Sequence, residues 1–190
     1  MNSIQRIKKK INGEEICIEV CDEGEFMTVN PKCYSKLSNR GKGRIYSVKE
    51  LLLILLGIDS EIPLKKTLLM KEAFLFEKEL SYELNLNLDS LMFVPYKYGP
   101  YSKLIDESLE SMPDLVTITS SRKKEIKLTK KGKIEAKKIL NTLPENKCNI
   151  IKMKRIGWDQ WGNRGILKWV FTDYPIYTAN SEIKDDILGD

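Results

Sequence analysis

The chain has 190 residues, 42% hydrophobic and 31% charged, with a net charge of +5, which suits one good core or one core with a smaller appendage. It has no histidine, so Ser-His-Asp and Cys-His nucleophile activation and His-ligated metal sites are excluded. The longest apolar run, Leu51 to Leu56, is far too short to span a bilayer, and the basic N-terminus leads into Asn12-Gly13-Glu14-Glu15 rather than an apolar stretch; a cytoplasmic protein with no membrane partner is expected.

Residues 1–45 read as a separate small element. Ile4 to Ile11 carries Arg6, Lys8, Lys9 and Lys10, and Asn12-Gly13 is a turn signal. Glu15 to Val20 and Glu25 to Val29 alternate across Asp22-Glu23-Gly24, which predicts a β-hairpin. The loop from Ser38 to Arg44 is basic, a linker or an arm lying against phosphates.

Ser47 and Glu50 have the spacing of a capping box and open a first helix through Leu51–Leu56, stopped by Gly57. It is apolar almost all round, which places it at the centre of the core. A second helix is expected from about Pro63, in its first turn, to about Leu84, with Leu64, Leu68, Met70, Phe74, Leu75 and Leu80 as its buried stripe. Gly99-Pro100 is a strong breaker, and Pro100 is expected to start a third helix running to about Met112. Leu104, Ile105, Leu109 and Met112 mark its buried side, whereas Asp106, Glu107 and Glu110 occupy its exposed side.

Leu115 to Thr119 and Glu125 to Leu128 are two short runs rich in β-branched residues, flanking the tip Ser120-Ser121-Arg122-Lys123-Lys124. They predict a second hairpin with cations at its turn, followed at once by a Lys-rich fourth helix from Lys130 to about Leu143, ended by Pro144. Residues 145–155 read as a basic connector. The last segment holds Trp158, Trp161 and Trp169, with helices expected near 163–173 and from Ser181 to Leu188, separated by a break at Tyr174-Pro175. The tryptophans need a surface to bury against; packing on the core is the favoured reading over a dimer or partner interface.

The charge is polarised. Residues 122–155 hold 13 basic and 3 acidic side chains, whereas residues 50–121 hold 6 basic and 12 acidic ones. One face is therefore expected to attract polyanions, although a solvated Lys-rich helix gives the same composition. The four cysteines, Cys17, Cys21, Cys33 and Cys148, contain no C-x2-C pair and read as reduced thiols; no metal and no cofactor is expected.

The order helix, helix, helix, hairpin, helix is that of a winged helix-turn-helix domain. Glu125 to Lys133, with Thr129-Lys130-Lys131-Gly132 within it, looks like the second wing strand and following helix of MarR- and PadR-type regulators. Lys97-Tyr98-Gly99-Pro100-Tyr101-Ser102, with the Leu64–Leu80 helix upstream, resembles the Panacea (SocA-type antitoxin) family and its prokaryotic relatives. The resemblance covers about residues 47–143 and implies a winged-helix-like fold with a role in gene regulation or in neutralising a toxin.

The expected fold is thus α+β and mainly helical: an N-terminal basic segment and hairpin (1–45), a winged-helix domain (46–144) and a Trp-rich helical extension (145–190). The first functional reading is a DNA-binding transcriptional regulator, acting as a homodimer. Arg122, Lys123 and Lys124 would lie along phosphates, Lys130 and Lys131 would add backbone contacts at a helix N-terminus, and Tyr101, Ser102 and Lys103 would touch base edges or phosphates. The carboxylates of the third helix repel phosphates, which favours backbone contact by the wing over groove reading. The second reading is a protein-interaction module, antitoxin or adaptor, using the acidic helix or the Trp-rich tail. With no paired D-x-D carboxylates, Gly-rich phosphate loop or activated nucleophile, an enzyme is not expected.

Overall fold

The structure, a computed structural model, describes residues 4–11, 14–21, 44–59, 61–120 and 124–189, the first two segments by backbone alone. The chain divides into two compact units, 1–43 and 44–190. In the first, β1 (Ile4–Ile11) pairs antiparallel with β2 (Glu14–Cys21), in a register from Ile4 opposite Cys21 to Ile11 opposite Glu14. Only Asn12 and Gly13 separate the paired strands, a residue pair well suited to a two-residue connection. The strand expected at Glu15–Val20 therefore has its partner upstream, in the basic segment. The pairing expected across Asp22-Glu23-Gly24 and most of the basic loop after Ser38 lie outside the described residues.

The second unit is α+β and mainly helical, with small sheets, one of which pairs β3 (Ile45–Tyr46) in parallel with β5 (Asn87–Leu88). The capping box is formed as expected at α1 (Val48–Gly57): Ser47 Oγ accepts from the Glu50 N–H at 3.3 Å, and the Glu50 carboxylate accepts from the Ser47 N–H at 2.9 Å. Two N–H groups that a helix start leaves orphaned are satisfied this way. Leu51 through Leu56 are all buried, so α1 runs through the core. It crosses α4 (Lys130–Leu140) so closely that a Cβ on Gly57 would lie 2.6 Å from Ala136 Cβ.

Pro63 does not open the second helix. Leu64-Lys65 forms a two-residue strand, β4, that pairs antiparallel with β9 (Glu125–Leu128), Leu64 opposite Ile126 and Lys65 opposite Glu125. Proline's fixed φ suits an extended approach as well as a first helical turn, and the strand lets Leu64 and Ile126 bury together. Helix α2 then begins at Lys66 (Lys66–Leu75), passes through a π-helical stretch, Phe76–Leu80, and ends in the turn Ser81–Glu83.

Pro100 does not start a helix either. β6 (Val94–Tyr96) and β7 (Gly99–Tyr101) make a hairpin across Lys97-Tyr98, with Tyr96 opposite Gly99. Gly99 has φ 88°, a conformation that glycine adopts without steric cost, and it lies against Leu167, whose Cδ2 a Cβ would meet at 3.1 Å. Helix α3 (Lys103–Glu110) starts two residues later, behind the N-cap Ser102.

β8 (Val116–Ile118) pairs antiparallel with β9, Val116 opposite Leu128 and Ile118 opposite Ile126, giving a three-stranded sheet in the order β4-β9-β8. α4 follows, its N-cap Thr129 accepting from the Gly132 N–H at 3.0 Å. Gly132 is required by close approach: a Cβ there would overlap the Leu115 carbonyl oxygen, which already accepts the Thr129 N–H at 2.9 Å.

Residues 145–155 are helical. α5 (Glu145–Asp173) runs from Pro144 onward, broken at Gly162 (φ 63°, ψ −176°). Its buried stripe Ile151, Arg155 and Trp158 packs against α2 and the core. Of the three tryptophans only Trp158 is buried; Trp161 and Trp169 remain 49% and 40% exposed. A 3-10 turn (Pro175–Thr178) and α6 (Lys184–Leu188) close the chain. Residues 145–189 thus belong to the same compact unit as the helices before them.

Candidate nucleic-acid interface

The hairpin strands turn most of their hydrophobic residues inward and their polar ones outward, with Ile118 left 38% exposed. Val116, Ile126 and Leu128 are buried, while Thr117, Thr119, Lys124 and Lys127 are exposed. The paired backbone continues past the strand ends, because the Thr119 N–H donates to the Glu125 carbonyl at 2.9 Å. Arg122 and Lys123 lie outside the described residues. Lys124, the last cation of the tip, is exposed, and its carbonyl accepts from the Lys66 N–H at 2.9 Å.

That hydrogen bond joins two segments far apart in the chain. With Lys65 opposite Glu125 in the β4–β9 register, the start of α2 brings Lys65 and Lys66 to the tip end of the hairpin. Lys65 is exposed, and Lys66 pairs with Asp106 Oδ1 at 2.9 Å. Asp106 Oδ2 accepts from the Tyr101 hydroxyl at 3.1 Å, so one carboxylate ties the first turn of α3 to the first turn of α2. Burial and the neighbouring Asp106 carboxylate hold the Tyr101 phenol above its ordinary pKa, so Tyr101 is a neutral hydroxyl already committed as a donor. Lys65, Lys66, Lys124 and the N-terminal turn of α3 therefore share one corner.

The expected contact residues divide by their exposure. Lys103 is exposed and pairs with Glu107 at 3.2 Å. Lys131 pairs with Asp114 at 3.0 Å, also in solvent, and Lys130 is exposed. Such exposed pairs are worth only about 0–1 kcal/mol and exchange readily for a phosphate. Ser102 is different, and its expected role in touching nucleic acid is corrected here: it is fully buried, its hydroxyl donates to the Leu91 carbonyl and accepts from the Ile105 N–H at 3.4 Å. Its work is to cap α3 and to fasten it to the preceding loop. The acidic side of α3 is also less bare than its sequence implies, since Asp106 and Glu107 each sit in an ion pair, while Glu110 is exposed.

Lys127, Lys137 and Lys138 extend the cationic surface along β9 and α4, all exposed, with Lys138 paired to Glu135 at 2.7 Å. A second set of ionic groups lies on the far side of α2 and is closed to solvent. Lys71 donates to the Pro100 carbonyl at 3.0 Å, and burial pulls its pKa down to about 8. Glu72 lies 3.5 Å from Arg155 Nε, and Arg155 Nη1 donates to the Leu55 carbonyl at 2.6 Å. Burial, against the pull of Arg155, pushes the Glu72 carboxyl up to about 9. These buried groups join α1, α2, α5 and β7.

Among the described residues, no group of three or more Cys, Asp or Glu side chains is arranged to hold a metal ion, and no helix is long and apolar enough to cross a membrane. Cys17, Cys21 and Cys33 fall outside the described side chains; Cys148 is half-buried, and burial raises its thiol pKa, which leaves little reactive thiolate at neutral pH. No protein-family model matches the chain, and no curated protein matches it.

Proposed function

We propose that this protein is a DNA-binding regulator of the winged helix-turn-helix kind that holds the duplex chiefly through its phosphates. The element order α1, β4, α2, α3, β8, β9, α4, with β4 pairing on β9, supports that architecture. The observation that carries the reading is the corner where Lys65, Lys66 and Lys124 meet the first turn of α3. Cations from two segments far apart in the chain, Lys65-Lys66 and Lys124, gather beside the tip end of a hairpin whose tip sequence is Arg122-Lys123-Lys124.

Phosphate contact fits better than base reading. The α3 surface offers Lys103 but also Glu107 and Glu110, and Ser102 is withdrawn. The duplex would be held by Lys65, Lys103, Lys124, Lys130 and Lys131 with Arg122 and Lys123, and a homodimer would place two wings on one site. Fluorescence anisotropy with a duplex oligonucleotide from 50 to 200 mM salt tests this. With about five of these seven cations on phosphates, one protomer gives a slope of log K against log salt of about −4 to −5, and a slope near zero rejects the reading.

A second reading, a protein-interaction module such as an antitoxin or adaptor, draws support from the exposed Glu107 and Glu110 of α3 and from the exposed Met153, Trp161 and Trp169 of α5. Affinity purification with and without nuclease separates the two: nucleic acid that co-purifies favours the first, and a protein that survives nuclease treatment favours the second.

A further inference from the structure

The second half of α5 builds a cleft whose chemistry differs from that of the basic corner. Gly162 leaves the helical conformation at φ 63°, and the bend brings Trp161 and Trp169 together with ring centroids 5.7 Å apart and planes at 35°. Gly165 makes this possible, because a Cβ there would lie 2.8 Å from Trp161 Cβ and push the indole away. The two indoles wall a cleft of about 460 Å³, which Ile150, Met153 and Trp158 also line and Gly157 leaves open.

Two carboxylates, Glu79 and Glu83, enter the same cleft from the end of α2. The π-helical stretch sets Glu79 there. Its Oε1 accepts from the Trp169 indole N–H at 2.9 Å and from the Tyr174 hydroxyl at 3.0 Å. Both partners are neutral donors, so the Glu79 charge is oriented but not cancelled. The one lysine in the lining, Lys154, is already matched to Glu83 at 3.4 Å. The lining is thus apolar and aromatic with one uncompensated negative charge, on a protein whose net charge is +5.

The geometry points to this cleft as a binding site for a small organic cation with an apolar or aromatic body. Indole faces attract cations through their quadrupole, and a cleft of this size with few, fixed polar groups is the usual form of a small-ligand site. At 5.7 Å the two rings touch one another instead of standing apart as a sandwich, so the ligand lies across the pair with its charge toward Glu79. The site is independent of DNA and of the wing.

The test uses two probes of nearly equal shape and opposite charge, tetraphenylphosphonium and tetraphenylborate, titrated into the full chain by calorimetry without DNA. Saturable binding of the cation, at least about tenfold tighter than the anion, is expected. Glu79→Gln keeps an acceptor for Trp169 and Tyr174 and should weaken the cation by about fivefold or more, with the anion gaining or unchanged. Trp161→Ala, at an exposed position, should weaken both probes and serves as the second variant should Glu79→Gln not fold. No saturable cation binding overturns the proposal. So does an equal or better anion, or a folded Glu79→Gln or Trp161→Ala protein with full cation affinity.

Discussion

On the exposed basic surface, where α4 starts, Lys131 and Asp114 meet at 3.0 Å with 65% and 73% of their side chains exposed; between α2 and α5, Arg155 and Glu72 stand 3.5 Å apart with 1% and 0% exposed. The same residue types do opposite work in the two places. In solvent an ion pair is nearly neutral in energy and can trade its partner for a phosphate. In the core the Glu72 carboxyl keeps its proton, and the Arg155 charge depends on the few acceptors beside it, the Leu55 carbonyl and Asp159. The exposed basic surface is therefore where function can reside without cost to folding, and the seam is where folding is decided without a role in contact.

The strongest way to break this comparison is at Arg155. Arg155→Ala empties the space of a large, fully buried side chain and removes the donor to the Leu55 carbonyl, and should cost about 3–5 kcal/mol, read as a large fall in the urea midpoint. The double variant Arg155→Met with Glu72→Met should recover much of that loss, because an apolar pair needs no compensation. If Arg155→Ala melts like the parent, the seam is no different from the surface.

A second test reads the same seam through pH. The folded pKa of Glu72, about 9, lies above its ordinary 4.5, so the folded state keeps a proton that the unfolded chain releases. Its contribution is full below pH 4.5 and is lost as pH rises toward 9. Lys71 has the opposite sign: depressed from 10.5 to about 8, it contributes fully above pH 10.5 and loses that contribution as pH falls through 8. Between pH 5 and 7.5 folded Glu72 keeps its proton while the unfolded chain has released it, and Lys71 is protonated in both states, so of these two groups Glu72 makes thermal stability fall as pH rises. Glu72→Gln should flatten that slope in melts at the two ends of the range.

How far these regions could be read in the chain follows from their periodicity. The Ser47/Glu50 capping box, the all-round apolar α1 and the strands flanking the tip were legible, because each carries a local rule. β4 was not, since two residues have no period, and Pro63 suits a strand and a helix start equally. The helix at 145–155 did carry a signal, Cys148, Ile151, Arg155 and Trp158 at helical spacing, but an arginine in the buried stripe hid it. The corner was half legible: Lys124 follows from the hairpin, whereas Lys65 and Lys66 reach it only through a long-range strand pairing. Ser102 was misread because a serine after Tyr-Gly-Pro-Tyr suits a cap and a contact alike, and only its burial decides.

Gly132 lies between the two regimes. It belongs to the Thr-Lys-Lys-Gly run that resembles regulator wings, yet its requirement is steric: the Leu115 carbonyl occupies the space of a side chain. Gly132→Ala should cost about 1–3 kcal/mol by overpacking, measured as a lower melting temperature, and should loosen the Thr129–Leu115 hydrogen bond that joins β9 to the start of the hairpin. An alanine accepted without loss would mean that the base of the hairpin can shift.

The smallest effect on stability, and the sharpest on function, is expected at the corner itself. Lys65→Ala and Lys124→Ala remove exposed side chains, and each should leave the melting temperature within the change of about 0.5 kcal/mol usual for surface positions. Removing one lysine–phosphate interaction should reduce the steepness of the DNA salt dependence by about 0.9, independently of sequence. Lys65 is the more telling of the two. The hairpin sequence alone assigns a role to Lys124, but only the β4–β9 pairing assigns one to Lys65. If Lys124→Ala shallows the slope and Lys65→Ala does not, the tip binds DNA alone and the corner has no part in it; equal changes would make the strand pairing the device that assembles the interface.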